Sequence, residues 1–152
     1  NPEITLEANP EDVNNKYLRE IIQLGVNRLS IGIQSFYKED LDLMNRVHDS
    51  EHAEQSIIIA REEGINNLNI DLIYGIPGFN LVRWRNNIAK TVKYKPEHIS
   101  AYHLTFEPGT ILHYKKMKKR IREPDEEESI EQFRELVSIL EAEGYIHYEM
   151  SK

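Results

Sequence analysis

Three polar side chains stand at or near the ends of segments that otherwise alternate like half-buried strands. Glu7 lies in "EITLEAN", Gln34 closes "RLSIGIQ", and Asp71 lies in "LNIDLIY". A carboxylate without a partner on a closed, dry face of a sheet would cost on the order of several kcal/mol. We therefore expect the face that carries these groups either to be wet or to meet a polar ligand.

The alternation sorts each strand into a polar and an apolar set. The polar set is Glu3, Thr5 and Glu7; Arg28, Ser30, Gly32 and Gln34; Asn69 and Asp71. The apolar set is Ile4 and Leu6; Leu29, Ile31 and Ile33; Leu68, Ile70 and Leu72. Parallel strands are normally apolar on both faces, so the polar set needs a reason. Two explanations stay open: a sheet with water on one side, or a concavity that holds a ligand at the carboxyl ends of the strands.

A unit of helix end, glycine and strand repeats along the chain. "LGVNRLSI" is echoed by "EGINNLNI" and more weakly by "EGYIHYEM". Strands that are separated by helices of about ten or more residues are parallel neighbours with right-handed crossovers. The sequence therefore predicts an α/β fold of about four parallel strands with covering helices. Four strands are fewer than the eight of a complete barrel, so the sheet is either open or a partial barrel.

Helix boundaries follow from capping residues and apolar stripes. A first helix is predicted to begin at Asn9 and Pro10 and to end at Gly25, and Ser50 is predicted to cap a later helix. The amphipathic stretch that follows Pro124 gives the clearest helix. We expect residues 1–108 to hold the strands and helices of the barrel. Residues 109–152 are expected to hold a basic linker, that amphipathic helix and a final strand.

Composition excludes several classes of protein. The net charge of -7 argues against broad binding of nucleic acid, and the basic run 113–123 is predicted to be a solvated linker. The chain has no cysteine, so neither disulfides nor thiolate metal sites can form within it. No apolar run approaches the roughly 20 residues that span a bilayer. The first ten residues lack the features of a secretion signal, so a cytoplasmic location is expected.

Several segments occur together in an order that resembles a known family. They are "EITLEANP", "GVNRLSIGIQSF", "LMNRVH", "NIDLIYGIPG", "HISAYHLTFEPGT" and "GYIHYEMS". This set resembles the radical S-adenosylmethionine enzymes of the oxygen-independent coproporphyrinogen III oxidase type. The resemblance implies a partial (β/α) barrel whose lumen holds S-adenosylmethionine and a 4Fe-4S cluster. It also implies a role in porphyrin biosynthesis, the oxidative decarboxylation of coproporphyrinogen III propionates. The alternative is the haem chaperone branch of the same family, which binds and transfers haem without oxidase activity.

The resemblance also implies which residues bind the cofactor. Glu7, Gln34, Arg46 and Asp71 match positions that contact S-adenosylmethionine, and Thr105 matches another by spacing alone. Arg46 falls at the position that meets the carboxylate of the cofactor, a task that suits a planar guanidinium. From the residues alone, Arg46 could instead pair with Asp42 or Asp49 on the surface.

The chain departs from the family pattern in one large respect. The CxxxCxxC motif that binds the cluster is absent, and His48 and His52 have no third ligand that would make a metal site. We therefore interpret the chain as an internal fragment that binds no cofactor and performs no radical chemistry alone. The parent protein is expected to bind S-adenosylmethionine, a 4Fe-4S cluster, and porphyrinogen or haem. The exposed edge of the first strand is expected to favour self-association.

Overall fold

A single parallel sheet organises the chain. The computed structural model describes residues 2–78 and 80–148. The four strands are β1 (Thr5–Ala8), β2 (Arg28–Gln34), β3 (Leu68–Tyr74) and β4 (His98–His103). They pair in the order β1-β2-β3-β4, and every pair is parallel. The predicted α/β fold with four parallel strands is therefore confirmed, and each strand is joined to the next by a helical crossover.

Helices lie between and after the strands. They are α1 (Asn15–Gln23), α2 (Lys38–Leu43), α3 (Ser50–Glu62), α4 (Leu81–Lys93), α5 (Ile111–Met117) and α6 (Glu126–Ala142), and a short 3-10 turn covers Pro10–Asp12. Among the described helices, none is both long and apolar enough to cross a membrane.

The apolar set of the strands forms the core with the helices. Its fully buried members are Leu29, Ile31, Ile33, Leu68, Ile70 and Leu72. Helices α1, α3 and α4 add Leu18, Ile57 and Ile88, which are also fully buried. Fully burying one such side chain contributes about 1.5–3 kcal/mol relative to leaving it exposed. The apolar face of the sheet is thus the main source of stability.

The strand register brings the polar set into line across the sheet. Glu7 lies beside Ser30, and Ser30 lies beside Asn69. The register shifts between Ile31 and Gln34, and Gln34 has a φ of 66°, which is uncommon for a residue other than glycine. This irregularity turns the chain at the end of β2 and redirects the Gln34 side chain.

Two helix starts differ from the sequence-based expectation. The stretch after Asn9 forms the 3-10 turn, and α1 begins later because the Asn14 side chain caps it by accepting from the Tyr17 N–H at 2.9 Å. Helix α3 is capped by Asp49, whose carboxylate accepts from the His52 N–H at 2.9 Å. Ser50 is therefore the first helical residue, because the extended backbone lies one position earlier, at Asp49.

The C-terminal part contains a helix that the sequence analysis missed. Helix α5 lies inside the expected linker and begins after Thr110, whose side chain accepts from the His113 N–H at 3.2 Å. The expected amphipathic helix is α6, and Asp125 and Glu128 form its capping box. Residues 145–148 form no strand, and residues 149–152 of the expected final strand lie outside the described residues.

Helix α6 is fastened to the carboxyl end of β3. The Gly75 N–H donates to Gln132 Oε1 at 2.6 Å, and the indole N–H of Trp84 donates to the Gln132 carbonyl oxygen at 2.8 Å. Gly75 has a φ of 73°, and a Cβ there would lie 2.5 Å from His103 Nε2. Only glycine fits this turn, where the chain leaves the sheet beneath α6.

Candidate functional site

A concavity of about 580 Å³ opens at the carboxyl ends of β1 and β2 and reaches Asp71 of β3. Its volume lies within the range of about 300–1,000 Å³ that is typical of small-molecule sites. The residues that line it are Glu7, Ala8, Asn9, Asp12, Asn14, Tyr17, Gly32, Gln34, Arg46 and Asp71. Four of the five residues predicted to bind a cofactor therefore meet in one place.

The fifth residue, Thr105, does not line this concavity. Strand β4 ends at His103, and the Leu104 N–H donates to the Tyr74 carbonyl oxygen at 2.8 Å as the last contact with the neighbouring strand. Thr105 lies beyond that contact and is exposed. The sequence pattern placed Thr105 at the end of the fourth strand, which ends two residues earlier, at His103.

Gln34 presents a buried acceptor without a partner. The residue is 8% exposed, and its Oε1 atom has no hydrogen-bond partner among the described residues. Leaving a buried polar atom unpaired costs about 1–3 kcal/mol, so such atoms often mark a place where a ligand donates.

Gly32 makes room for the amide of Gln34. A Cβ at position 32 would lie 2.8 Å from Gln34 Nε2 and 3.8 Å from the Ala8 carbonyl oxygen. Because Gly32 has no side chain, the Gln34 amide can lie back across the strand and border the concavity. The glycine therefore shapes the floor of the site.

Asp71 is held by two donors on the same face of the sheet. Its Oδ1 accepts from Asn69 Nδ2 at 2.6 Å, and its Oδ2 accepts from Ser30 Oγ at 3.1 Å. Burial raises the pKa of the Asp71 carboxyl, and the charge of Glu7 raises it further, although these hydrogen bonds oppose the rise. Asp71 is thus an oriented carboxyl group in a partly desolvated site.

Arg46 brings a positive charge to the same concavity. Its Nη1 donates to Asn9 Oδ1 at 3.5 Å, and within residues 2–78 and 80–148 it forms no ion pair with a carboxylate. The two surface partners considered from the sequence are engaged elsewhere, because Asp42 pairs with Lys38 and Asp49 contacts His52. The guanidinium is therefore available to an anionic group of a ligand.

His48 is buried between the end of β2 and the 3-10 turn. Its Nε2 lies 3.0 Å from the carbonyl oxygen of Ile33, and since a carbonyl only accepts, this nitrogen carries the proton. Its Nδ1 lies 3.2 Å from Glu11 Oε2 and has no hydrogen-bond partner among the described residues. The ring is therefore held by its bond to the end of β2 and lies beside the 3-10 turn. In the described part of the chain no group of three or more His, Asp or Glu side chains is arranged to hold a metal.

The sequence analysis missed the rim of the concavity. Asn9, Asp12, Asn14 and Tyr17 come from the turn and from the start of α1. The available signal was their place directly after the first strand, since the loops that follow strand ends carry the sites of α/β barrels. These residues were interpreted only as a helix start.

The profile of the radical SAM superfamily matches residues 1–91. The chain belongs to this superfamily. The radical SAM match covers β1 to β3 and most of α4, and so includes all the residues that line the concavity.

Two curated radical SAM relatives are similar over nearly the whole chain. The heme chaperone HemW of Bacillus subtilis (strain 168) is 36% identical over 149 residues, which are 98% of this chain and 39% of that protein. HemW of Escherichia coli (strain K12) is 34% identical over 149 residues, 98% of this chain and 38% of that protein. The chain thus spans about two fifths of the length of these relatives.

Two solved structures share the fold, and the first of them is described as a radical SAM enzyme. Coproporphyrinogen III oxidase (HemN) from Escherichia coli superposes with a TM-score of 0.79 at 28% identity and covers 95% of this chain and 33% of that chain. Elp3 from the archaeon Methanocaldococcus infernus superposes with a TM-score of 0.78 at 23% identity and covers 90% of this chain and 32% of that chain, a likeness of fold alone.

The residues of the concavity fit S-adenosylmethionine, which the superfamily implies. This molecule carries a carboxylate, an ammonium, a sulfonium and ribose hydroxyls. One guanidinium, the carboxyl groups of Glu7 and Asp71, and the unpaired Gln34 Oε1 offer partners of matching charge and hydrogen-bonding type. Each donor, acceptor and charged group of the site can contact the cofactor in the hydrogen-bonding role that it has in the free protein.

Proposed function

We propose that this chain is the S-adenosylmethionine-binding part of a radical SAM protein of the haem chaperone type. The single observation that carries the first half of this proposal is the concavity in which Glu7, Gln34, Arg46 and Asp71 meet around an unpaired buried acceptor. The convergence of four polar residues from four different segments favours a ligand site over a face that is only solvated.

Each side chain has a role that follows from its chemistry. Arg46 would pair with the cofactor carboxylate, a task that suits its planar guanidinium. Glu7 and Asp71 accept from ribose hydroxyls or from the ammonium, and their negative charge favours the sulfonium. Gln34 Oε1 accepts one further donor. When bound next to a reduced 4Fe-4S cluster, the cofactor supplies a 5′-deoxyadenosyl radical. The present residues would bind and orient it, and this chain offers no cysteine thiolate to ligate the cluster.

The haem chaperone assignment rests on the names of the two HemW relatives, at 36% and 34% identity. The oxidase is the second candidate, because HemN superposes over 95% of the chain at the lower identity of 28%. The sequence analysis put the oxidase first. The comparisons support the chaperone alternative better.

Calorimetric titration of the full-length protein with S-adenosylmethionine tests the cofactor site. Arg46→Met removes the guanidinium but keeps a long apolar side chain, and we expect it to weaken binding about 10- to 100-fold, as for a lost charge-assisted pair. Arg85→Met is the matched control, because Arg85 pairs with Glu135 at 2.7 Å on the helices and does not line the concavity. Equal affinity in the Arg46 variant and the wild type would refute this site.

An anaerobic comparison separates the two branches. The full-length protein with its cluster loaded is incubated with S-adenosylmethionine and either haem or coproporphyrinogen III. The proposal expects haem that stays attached through gel filtration and passes to an acceptor protein, with no vinyl product from coproporphyrinogen III. Formation of that product would replace the chaperone assignment by the oxidase while leaving the cofactor site intact.

A further inference from the structure

We propose that Asn69 is a positioning residue, which orients the Asp71 carboxylate toward the ligand without touching the ligand itself. This inference rests on the proposed function, because the ligand is S-adenosylmethionine. Asn69 is 2% exposed and is absent from the lining of the concavity, whereas Asp71 two residues later lines it. The two side chains lie on the same face of β3, since side chains alternate along a strand.

The neighbours of Asn69 determine which way its amide points. The Asp71 carboxylate at 2.6 Å is an acceptor, so the Asn69 atom that faces it must be the NH₂ group. The same NH₂ group donates to Ser30 Oγ at 2.7 Å. The Asn69 oxygen then faces β4, where Ser100 Oγ donates to it at 3.2 Å and His98 Nδ1 lies within hydrogen-bond reach. All positions of the amide are thus engaged by partners on three strands.

This network holds the Asp71 carboxylate without using all of its hydrogen-bonding positions. Asn69 and Ser30 occupy one position on each carboxylate oxygen, and an ionised carboxylate offers about four. Ser100, the neighbour of Asp71 on β4, also hydrogen-bonds this carboxylate, and the capacity that remains can serve a ligand because Asp71 lines the concavity. Two donors that approach the carboxylate also favour its ionised form.

The charges around Asp71 show why such support matters. Glu7 on β1 and Asp12 on the 3-10 turn add negative charge to the concavity, and Arg46 adds a positive charge. His98 of β4 lies behind Asn69. Burial and the charge of Glu7 raise the pKa of Asp71, and the hydrogen bonds from Ser30 and Asn69 oppose that rise while they orient the carboxyl group.

Asn69→Asp tests the inference, because it conserves shape but replaces the NH₂ donor by an acceptor. Two carboxylates in contact repel each other unless they share a proton. In the full-length protein we expect S-adenosylmethionine to bind about tenfold more weakly than to the wild type at pH 8. We expect the deficit to shrink to about threefold or less at pH 5.5, where a shared proton restores the hydrogen bond. The ratio to the wild type at each pH cancels the titration of the ligand.

Controls separate the possible outcomes. Asn86→Asp makes the same change of charge on the exposed face of α4, where the Asn86 Nδ2 donates to the Tyr37 hydroxyl at 3.0 Å, and it should bind like the wild type at both pH values. Ser30→Ala removes the weaker donor to Asp71 and should weaken binding about threefold at both pH values. It is the substitute test if Asn69→Asp does not fold. Wild-type affinity in both variants, or a deficit in Asn69→Asp that is independent of pH, would overturn the positioning role. A wild type that binds no S-adenosylmethionine would instead refute the proposed function.

Discussion

The two faces of the sheet use the same strands for different purposes. On one face Leu29, Ile31, Leu68 and Ile70 are fully buried against the helices. On the other face Ser30, Asn69 and Asp71 form a hydrogen-bonded network that ends at an open concavity. Neighbouring residues of a strand point to opposite faces. Of two adjacent residues in β3, one therefore stabilises the core and the other belongs to the ligand-binding face. Substitutions at adjacent positions should therefore have separable effects.

The largest loss of stability is expected on the apolar face. Ile70→Ala removes a fully buried side chain and leaves a cavity, so the free energy of unfolding should fall by about 2–5 kcal/mol. Urea titration followed by circular dichroism measures this change. Ile58→Ala on the exposed side of α3 is the control and should cost less than about 1 kcal/mol. A similarly small effect of Ile70→Ala would break the contrast between the faces.

A smaller loss of stability but a large loss of binding is expected from Gly32→Ala. The added Cβ would displace the terminal amide of Gln34, which is the flexible end of a side chain. We expect a cost in unfolding free energy of about 1 kcal/mol or less and an affinity for S-adenosylmethionine that falls about tenfold. The double variant Gly32→Ala with Gln34→Ala sharpens the test. If the glycine acts through Gln34, the double variant should bind no more weakly than Gln34→Ala alone.

The smallest effect, a change in the pH dependence of stability, is expected from Asp71→Asn. The raised pKa of Asp71 means that the folded state disfavours its charge. The stability associated with this group is therefore full below the unfolded pKa, which is near 3.8, and is lost as the pH rises through the higher folded value. Asparagine does not titrate, but its NH₂ group would face one of the two donors, Asn69 Nδ2 or Ser30 Oγ, which is a cost at every pH. The melting temperature of the variant relative to the wild type should therefore be higher at pH 7 than at pH 4, which calorimetry of the unliganded proteins at both pH values can measure.

Alternation along the strands was enough to predict which residues share a face. Glu7, Gln34 and Asp71 were placed together from their positions at strand ends, and the structure brings them into one concavity. This worked because the side-chain period of a strand is two and parallel strands end at the same edge of a sheet. Arg46 came from the family resemblance, since nothing in its local pattern indicates the concavity.

The details that alternation could not give depend on contacts between distant residues. The positive φ of Gln34 depends on a register shift against β3, and no local residue preference indicates it. Asn14 and Asp49 cap their helices, whereas Asn9 and Ser50 were expected to do so. The backbone is extended at Asn14 and Asp49, as a helix cap requires, and sequence preference alone does not show where that occurs. Helix α5 was missed because its basic residues resemble a solvated linker, and the helix indeed buries none of its side chains.

The attachment of α6 to the sheet gives the protein an internal optical reporter. Trp84 is the single tryptophan of the chain, is 4% exposed, and donates its indole N–H to a backbone oxygen of α6. Water would reach the indole if that helix lifted away, and its fluorescence would shift to longer wavelength. The emission of one residue thus follows the contact between α6 and α4, without any label.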